Sequence, residues 1–500
     1  MKKMLLPFIL LFISVIPAQA GNGDSIFNMT YIHTIHITFP YPAFYDSLLN
    51  SKATDTYLKV AVQFNNETYT DVGIKAKGNS SFNNPSQKKS FKLDFNEFIQ
   101  GQDIHGLKKL NFNNAFKDPS FMREKISNDF LIDHGIPAPR TTYCNVYLNN
   151  QLWGLYTIVE EIDDEFCKHW FNRNDGNLFK GDPHGDLKWK GSNMQSLYEP
   201  EYELKNNSGA NDWSDLISLI DIINNTPQAS LQSALDAKLN TSTFMKQWAA
   251  MNMFSSLDAY IGSGHNYFLY HDTISNKFQW IAWDNNEAFG SFKNNLTTAQ
   301  LINLDMYYVS NAGSRPLCSN MLLNANYKSM YHSAYCELML DFTNNYFDPK
   351  IDSLKSSIQQ SVYSDPKKFY SNSKFDSSFN YDLTLSGPGG LTIFGIKKFI
   401  NERSTAIQNN LTANNVICWA LNNSEVPTTT QEVSIFPNPA ETQLNISSNN
   451  KLESVAIFDL SGKLFLSDYS GQNQININNL PTGLYVVEIN GMIRRKLLKN

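Results

Sequence analysis

Alternation of apolar and polar positions dominates the first third of the chain. From Tyr31 to Phe39, Tyr31, Ile35, Ile37 and Phe39 share one parity and Thr34, His36 and Thr38 the other, which predicts a strand with His33 interrupting its apolar face. Tyr57–Phe64 and Tyr69–Lys75 read as a hairpin around Asn65-Asn66, and Lys88–Phe95 and Leu107–Asn113 as two further strands. Asp118-Pro119-Ser120 opens a helix that runs to about His134, with Ile126, Phe130 and Leu131 on its apolar face, and stops at Gly135 and Pro137. A second hairpin, Thr141–Leu148 and Leu152–Val159, leads through Glu160-Glu161-Ile162-Asp163 into a helix ending at Phe171.

Beyond this point the period lengthens. Trp213–Ile223, Ser242–Leu257, Tyr331–Tyr346, Ile351–Val362 and Ile396–Leu411 carry apolar residues at helical spacing, and the Ser386–Gly390 stretch is a loop. The Asn-, Asp- and Gly-rich residues 172–240 read as an insertion. After the polar stretch Asn422–Thr430, seven short alternating segments between Val433 and Leu498 predict a small β-sandwich. The fold class expected is therefore α+β. Its parts are a mostly β portion at 24–165, a mostly helical portion at 166–415, a linker at 421–431 and an all-β domain at 432–500.

Composition adds location and little else. Lys2 and Lys3, the apolar run Leu5–Ile16 and Ala18-Gln19-Ala20 have the form of a secretory signal at 1–20, with the run shorter than the ~20 residues that span a bilayer. No later stretch is apolar enough to span, so an integral membrane protein is not expected. With 41 basic against 47 acidic residues the net charge is -6, which makes no electrostatic case for a nucleic-acid partner. Of the five cysteines, no pair has zinc spacing, and Cys318 with Cys336 is the bridge expected in an exported chain.

The stretch with the densest chemistry is Asp258–Gly290. Asp258 is followed by the Gly262-Ser263-Gly264 loop and Asn266, then by an aromatic hairpin, then by Asp284. One carboxylate can orient a nucleophile while an amide and a second carboxylate hold a hard cation that arrives with phosphates. Upstream, Lys77 and the loop Gly78–Pro85, which includes Asn79 and Ser80, precede the basic strand carrying Lys88, Lys89 and Lys92. A polar loop joining two strands, with lysines beyond it, suits a polyphosphate. Lys89 and Lys92 have opposite parity and face opposite ways. The order of loop, lysine strand, helix with Glu124, two strands and acidic crossover at Glu160 resembles a protein-kinase N-lobe, in which the crossover meets adenine.

Residues 24 to about 415 resemble the spore-coat protein H (CotH) kinase family. The resemblance is carried by Gly73–Ser81, Lys88–Lys92, Gly106–Asn111, Asp118–Lys125, Gly135–Arg140, Trp153–Tyr156, His265-Asn266-Tyr267 and Trp283-Asp284. It implies an atypical, bilobal, secreted kinase that transfers the γ-phosphate of ATP to Ser or Thr hydroxyls of exported proteins, with Mg²⁺ or Mn²⁺. It casts Asp258 as the catalytic residue that accepts or orients the hydroxyl proton, Asn266 and Asp284 as metal ligands, and Lys92 as the phosphate lysine partnered by Glu124, with Lys89, Lys77, Asn79, Ser80 and Glu160 also around the nucleotide. Asn266 follows Asp258 by eight positions rather than the usual five or so. Lys75 and Lys77 stand where the family commonly has arginine. Residues 431–500 resemble the C-terminal sorting domain of type IX secretion, on Phe436–Ala440, Ile457–Gly462, Leu480–Tyr485 and Arg494-Arg495-Lys496. That implies the secretion machinery as a partner. Two other readings compete with the kinase: an inactive kinase-like surface protein, and a glycosidase using Asp258 and Asp284 as its carboxylate pair.

Overall fold

The computed structural model describes residues 23–28, 31–385, 391–418, 433–448, 451–459, 464–468, 471–490 and 493–499. The expected signal at 1–20, the linker at 421–431 and the Ser386–Gly390 loop lie outside them.

Seven strands open the chain: β1 His33–Thr38, β2 Leu58–Phe64, β3 Glu67–Lys77, β4 Ser90–Asp94, β5 Lys109–Asn113, β6 Thr141–Leu148 and β7 Gln151–Glu160. They close into a barrel in the order β1-β2-β3-β4-β5-β7-β6, sealed by the parallel pairing of β1 with β6 (Ile35 opposite Val146). Side chains alternate across each strand, so one parity fills the barrel. Ile35, Ile37, Val60, Val62, Val72, Ile74, Phe91, Leu93, Leu110, Phe112, Val146 and Ile158 form that core. The other parity of β3, β4 and β5 places Lys77, Lys92, Asn111 and Asn113 on the outside, and this outer face carries the site.

The rest of the first unit is mostly helical around a small sheet. β8 Leu178–Gly181, β9 Glu203–Leu204, β10 Tyr267–Asp272 and β11 Lys277–Ala282 pair in the order β11-β10-β8-β9. Residues 172–240 therefore supply two strands of the sheet, and β8 lies directly against β10 (Tyr267 opposite Gly181). The helix Thr241–Met253 is capped by the Asn240 side chain, which accepts from Thr243 N. It buries Phe244, Trp248 and Met251 and leads towards Asp258. Its C-terminal carbonyls are held by Arg403, which is fully buried and donates from Nη2 to Asn252 O at 3.1 Å. The hairpin β12 Leu383–Leu385 and β13 Leu391–Ile393 precedes the last helix, Ile396–Ala413.

Barrel and helices are locked by a buried ion pair. Lys88 Nζ lies 2.6 Å from Asp365 Oδ2, with both side chains fully buried. The same oxygen accepts from Leu155 N at 3.1 Å. Gly154 (φ +136°) makes room for it, because a Cβ there would sit 2.3 Å from Asp365 Oδ1.

The disulfide joins Cys336 to Cys418, not to Cys318. Cys336 projects from the helix Ala325–Met339, and its partner follows the distant helix Ile396–Ala413. Cys318 is buried as a free thiol in its own helix, Pro316–Leu322.

The second unit has its own core. β14 Val433–Phe436, β15 Gln443–Ser448 and β18 Gln474–Asn476 form one sheet. β16 Val455–Asp459, β17 Leu464–Asp468, β19 Gly483–Ile489 and β20 Ile493–Lys499 form the other. Leu444, Ile446 and Ile475 of the first sheet meet Val455, Ile457, Val487 and Leu497 of the second. The chain is thus a mixed helix-and-sheet unit followed by an all-β one. Among the described residues no helix is long and apolar enough to cross a membrane.

Candidate functional site

The site lies between the outer face of the barrel and the start of the β10–β11 hairpin. After the helix Thr241–Met253 the chain curls back on itself: Ser263 N donates to Leu257 O (2.8 Å) and Gly264 N to Ala259 O (3.1 Å). A Cβ at Gly262 would lie 1.9 Å from Leu257 O, so the curl requires glycine there. It brings residues 265 and 266 back beside Asp258. Asn266, at φ +60°, donates from Nδ2 to the Asp258 carbonyl at 2.8 Å. That leaves Oδ1 as its oxygen for a cation. The ladder Tyr267–Ala282 then returns Asp284 to the same place.

Asp284 itself occupies the left-handed region at φ +56°. Burial holds its carboxyl above the ordinary range, and the charge of Asp258 adds to that while Lys77 opposes it. The two acids thus share one electrostatic environment. The turn after Asp284 rests on the helix Arg123–Asp133. Asn285 Nδ2 donates to Asn128 Oδ1 at 2.8 Å, and the buried Arg123 donates to the carbonyls of Ala288 (3.0 Å) and Phe289 (3.2 Å). Glu287 is taken by Lys117 at 2.8 Å.

The barrel contributes two lysines through one amide. Lys77 Nζ donates to Asn111 Oδ1 (3.0 Å), Asn111 Nδ2 donates to Glu161 Oε2 (2.6 Å), and Lys92 Nζ donates to Glu161 Oε1 (2.6 Å). Lys77 also stands 5.7 Å from the Trp283 ring centroid, next to Asp284. Burial, reinforced by repulsion from Lys92, lowers the Lys77 ammonium to about 8, against the pull of Glu161, Asp284 and Glu124. Burial and the charge of Asp284 push Glu124 up to about 7, although Asn113 donates to it at 2.8 Å. Burial would raise Glu161, but Lys92 and two hydrogen bonds outweigh it and hold it at about 2.

The expected pairing of Lys92 with Glu124 is replaced by Lys92 with Glu161. Glu161 shares the outer parity that runs through Val159, and Lys77 is the lysine that approaches Glu124 and Asp284. Glu160, on the barrel parity, is 1% exposed and is held by Arg140, which also reaches Asp24. Lys89, on the parity of Phe91, closes the 80–85 loop instead, donating to the carbonyls of Phe82 (2.7 Å) and Asn84. Asn79 and Ser80 begin the short helical turn Ser80–Asn83 and are exposed. Of the residues singled out in the sequence, the structure gathers Asp258, Asn266, Asp284, Lys77 and Glu124, with Lys92 joined to Lys77 through Glu161 and Asn111. It adds Asn111, Glu161 and His265. Strand parity along β7 puts Glu161 on the outer face, and the register across β4, β5 and β7 places it beside Lys92.

The oxygen donors suit a hard divalent ion. Among the described residues no three His, Cys, Asp or Glu side chains gather into a metal cage. An acid and an amide beside two lysines match a cation that brings phosphate oxygens as its remaining ligands.

In this mixed barrel-and-helix unit, carboxylates and half-buried lysines meet in one cleft. Residues 74–404 match the family model described as CotH kinase protein, and the chain belongs to that family. Residues 434–499 match the secretion system C-terminal sorting domain. The inner spore coat protein H of Bacillus subtilis (strain 168) is 24% identical over 320 residues, which is 63% of this chain and 84% of that protein. The sorting domain implies contact with a secretion machinery and a destination outside the cell or at its surface.

Proposed function

We propose that the chain is a secreted, kinase-like bilobal phosphotransferase. It moves the γ-phosphate of ATP to Ser or Thr hydroxyls of exported proteins, aided by Mg²⁺ or Mn²⁺. The observation that carries this reading is the convergence of Asp258, Asn266 and Asp284 with Lys77 on one cleft. Family membership supports it.

In this reading Asp258 accepts the acceptor hydroxyl's proton. Lys77, braced by Asn111, and Lys92, braced by Glu161, neutralise and orient the phosphates of the substrate ATP. Asp284 and the Asn266 oxygen would hold the cation, which when bound supplies charge neutralisation at the transferring phosphoryl group. Glu160, Lys89, Asn79 and Ser80 take supporting places at the barrel end and in the 80–85 loop. The sorting domain hands the protein to type IX export after a leader at 1–20 is used.

The test is transfer from labelled ATP with Mg²⁺ or Mn²⁺ to a Ser/Thr-rich acceptor, for wild type, Asp258→Ala and Asp284→Ala. Either substitution should remove about 99% or more of the incorporation, since a positioned base and a metal ligand are each worth about 100-fold or more. Equal incorporation by all three would remove this reading. A melting temperature that ATP and Mg²⁺ leave unmoved would favour the inactive surface protein instead.

A further inference from the structure

We propose that His265 is the positioning residue for Asp258. Its Nε2–H grips one carboxylate oxygen and thereby presents the other to the acceptor hydroxyl. The inference rests on the kinase reading above and deepens it.

His265 Nε2 lies 2.9 Å from Asp258 Oδ1. An ionised carboxylate can only accept, so the ring nitrogen is the donor, and its tautomer follows from that. The ring sits among the charges of Asp258, Asp182 and Asp284, a field that favours an N–H directed at one of them. The neighbouring Asn266 holds the main chain of the same acid through Nδ2 to Asp258 O, 2.8 Å. Asp258 is therefore fastened twice by consecutive residues, at its side chain by 265 and at its backbone by 266.

The loop that brings them back is itself clamped. Arg315 donates through Nη2 to the Gly262 carbonyl, and its guanidinium lies against Gly264, where a Cβ would come within 2.7 Å of it. The kinase catalytic loop described by the usual signature places its Asn about five residues after the Asp. Here the longer loop inserts the histidine just before the Asn, and the inserted length is spent on this contact.

With Oδ1 engaged, Oδ2 is the oxygen left to act. In the transfer the acceptor O–H bond breaks and its proton passes to Oδ2, while the oxygen–phosphorus bond forms. The bond from the γ-phosphorus to the bridging oxygen breaks, and its electron pair leaves on ADP. His265 keeps its own proton throughout. What it supplies is a hydrogen bond, so a neutral side chain with a donor at the same reach should replace it.

The experiment compares full-length wild type, His265→Gln, His265→Leu and Asp258→Ala. It measures kcat and KM for ATP with Mg²⁺ and a Ser/Thr-rich acceptor, and the melting shift produced by ATP and Mg²⁺. His265→Leu should lower kcat by about tenfold or more while KM for ATP and the melting shift stay near wild type. His265→Gln should regain most of the lost kcat. Wild-type kcat in His265→Leu, or a Gln variant as slow as the Leu variant with its melting shift intact, would overturn the assignment. If His265→Leu does not fold, His265→Gln decides alone: kcat near wild type supports the role, and kcat as low as that of Asp258→Ala overturns it. A wild type no more active than Asp258→Ala removes the kinase reading itself, and this inference with it.

Discussion

Glu124 shows how one residue reports on the whole cleft. Its carboxyl, ordinarily near 4.5, is held at about 7 by burial first and by the charge of Asp284 second. Between these two values the folded chain keeps a proton that the unfolded chain has released. Stability therefore falls as pH rises through this window and levels off above it. Burial raises Asp284 and Glu287 in the same sense. Lys77, lowered to about 8 from 10.5, acts in the opposite sense and only above about 8, outside the window. Glu124→Gln removes one carboxylate from this set and leaves the Asn113 contact a partner. The variant should lose less stability than wild type between about pH 5 and about pH 8, the difference being on the order of 1–3 kcal/mol. Denaturant melts at the two pH values measure it, and parallel pH profiles for the two proteins would contradict the placement of Glu124 beside Asp284.

At the scale of elements, the barrel and the helices depend on one contact whose two ends are far apart in sequence. Lys88 precedes β4, and Asp365 follows the helix Asn344–Ser364. Removing one partner of a fully buried pair strands the other charge, which costs about 3–5 kcal/mol, whereas replacing both with apolar residues can be nearly neutral. Asp365→Ala should therefore destabilise the unit by about that amount, and Lys88→Met with Asp365→Leu should recover most of it. Chemical unfolding of wild type and the two variants tests this, and a double variant no more stable than Asp365→Ala would mean that the pair does not act as a unit. This contact also marks the limit of what the chain reveals on inspection. Apolar alternation located β1 to β7 and all seven strands after Val433, because burial on one face writes a local period. Closure of the barrel by β1 on β6, the Cys336–Cys418 bridge and the Lys88–Asp365 pair leave no local period, since each is chosen by which distant surfaces meet. Residues 172–240 read as an insertion for the same reason: the short β8 is recognisable only against its partner β10. In the site, the Asp258, Asn266 and Asp284 grouping was legible from spacing and residue type. The exchange of Glu124 for Glu161 beside Lys92 depended on register across β4, β5 and β7 (Lys92 opposite Asn111, Asn111 opposite Val159), which the residues alone do not state.

At the scale of the whole molecule, the proposed chemistry and the address occupy different units. Met1–Ala420 and Leu421–Asn500 are separate compact bodies, and the barrel core and the C-terminal core share no residue. Every residue of the proposed site lies in the first body. The matched sorting domain, 434–499, lies in the second. Independent cores fold independently, so removing the second should leave the first with its stability and its ligands. A chain ending at Ala420 is expected to melt within about 2 °C of the corresponding transition in the full protein, since a change below about 1 kcal/mol moves a unit of this size little. It should show the same melting shift with ATP and Mg²⁺, and the same transfer rate. In the producing cell, however, it should no longer reach the exterior, because the segment that the secretion machinery reads is gone. Calorimetry of the two purified proteins tests the first half, and immunoblots of cell and medium fractions test the second. Export of the truncated chain at the full-length level would show that the address lies elsewhere. Loss of the nucleotide-induced shift on truncation would show that residues beyond Ala420 help to build the cleft, and the separation of roles argued here would fail.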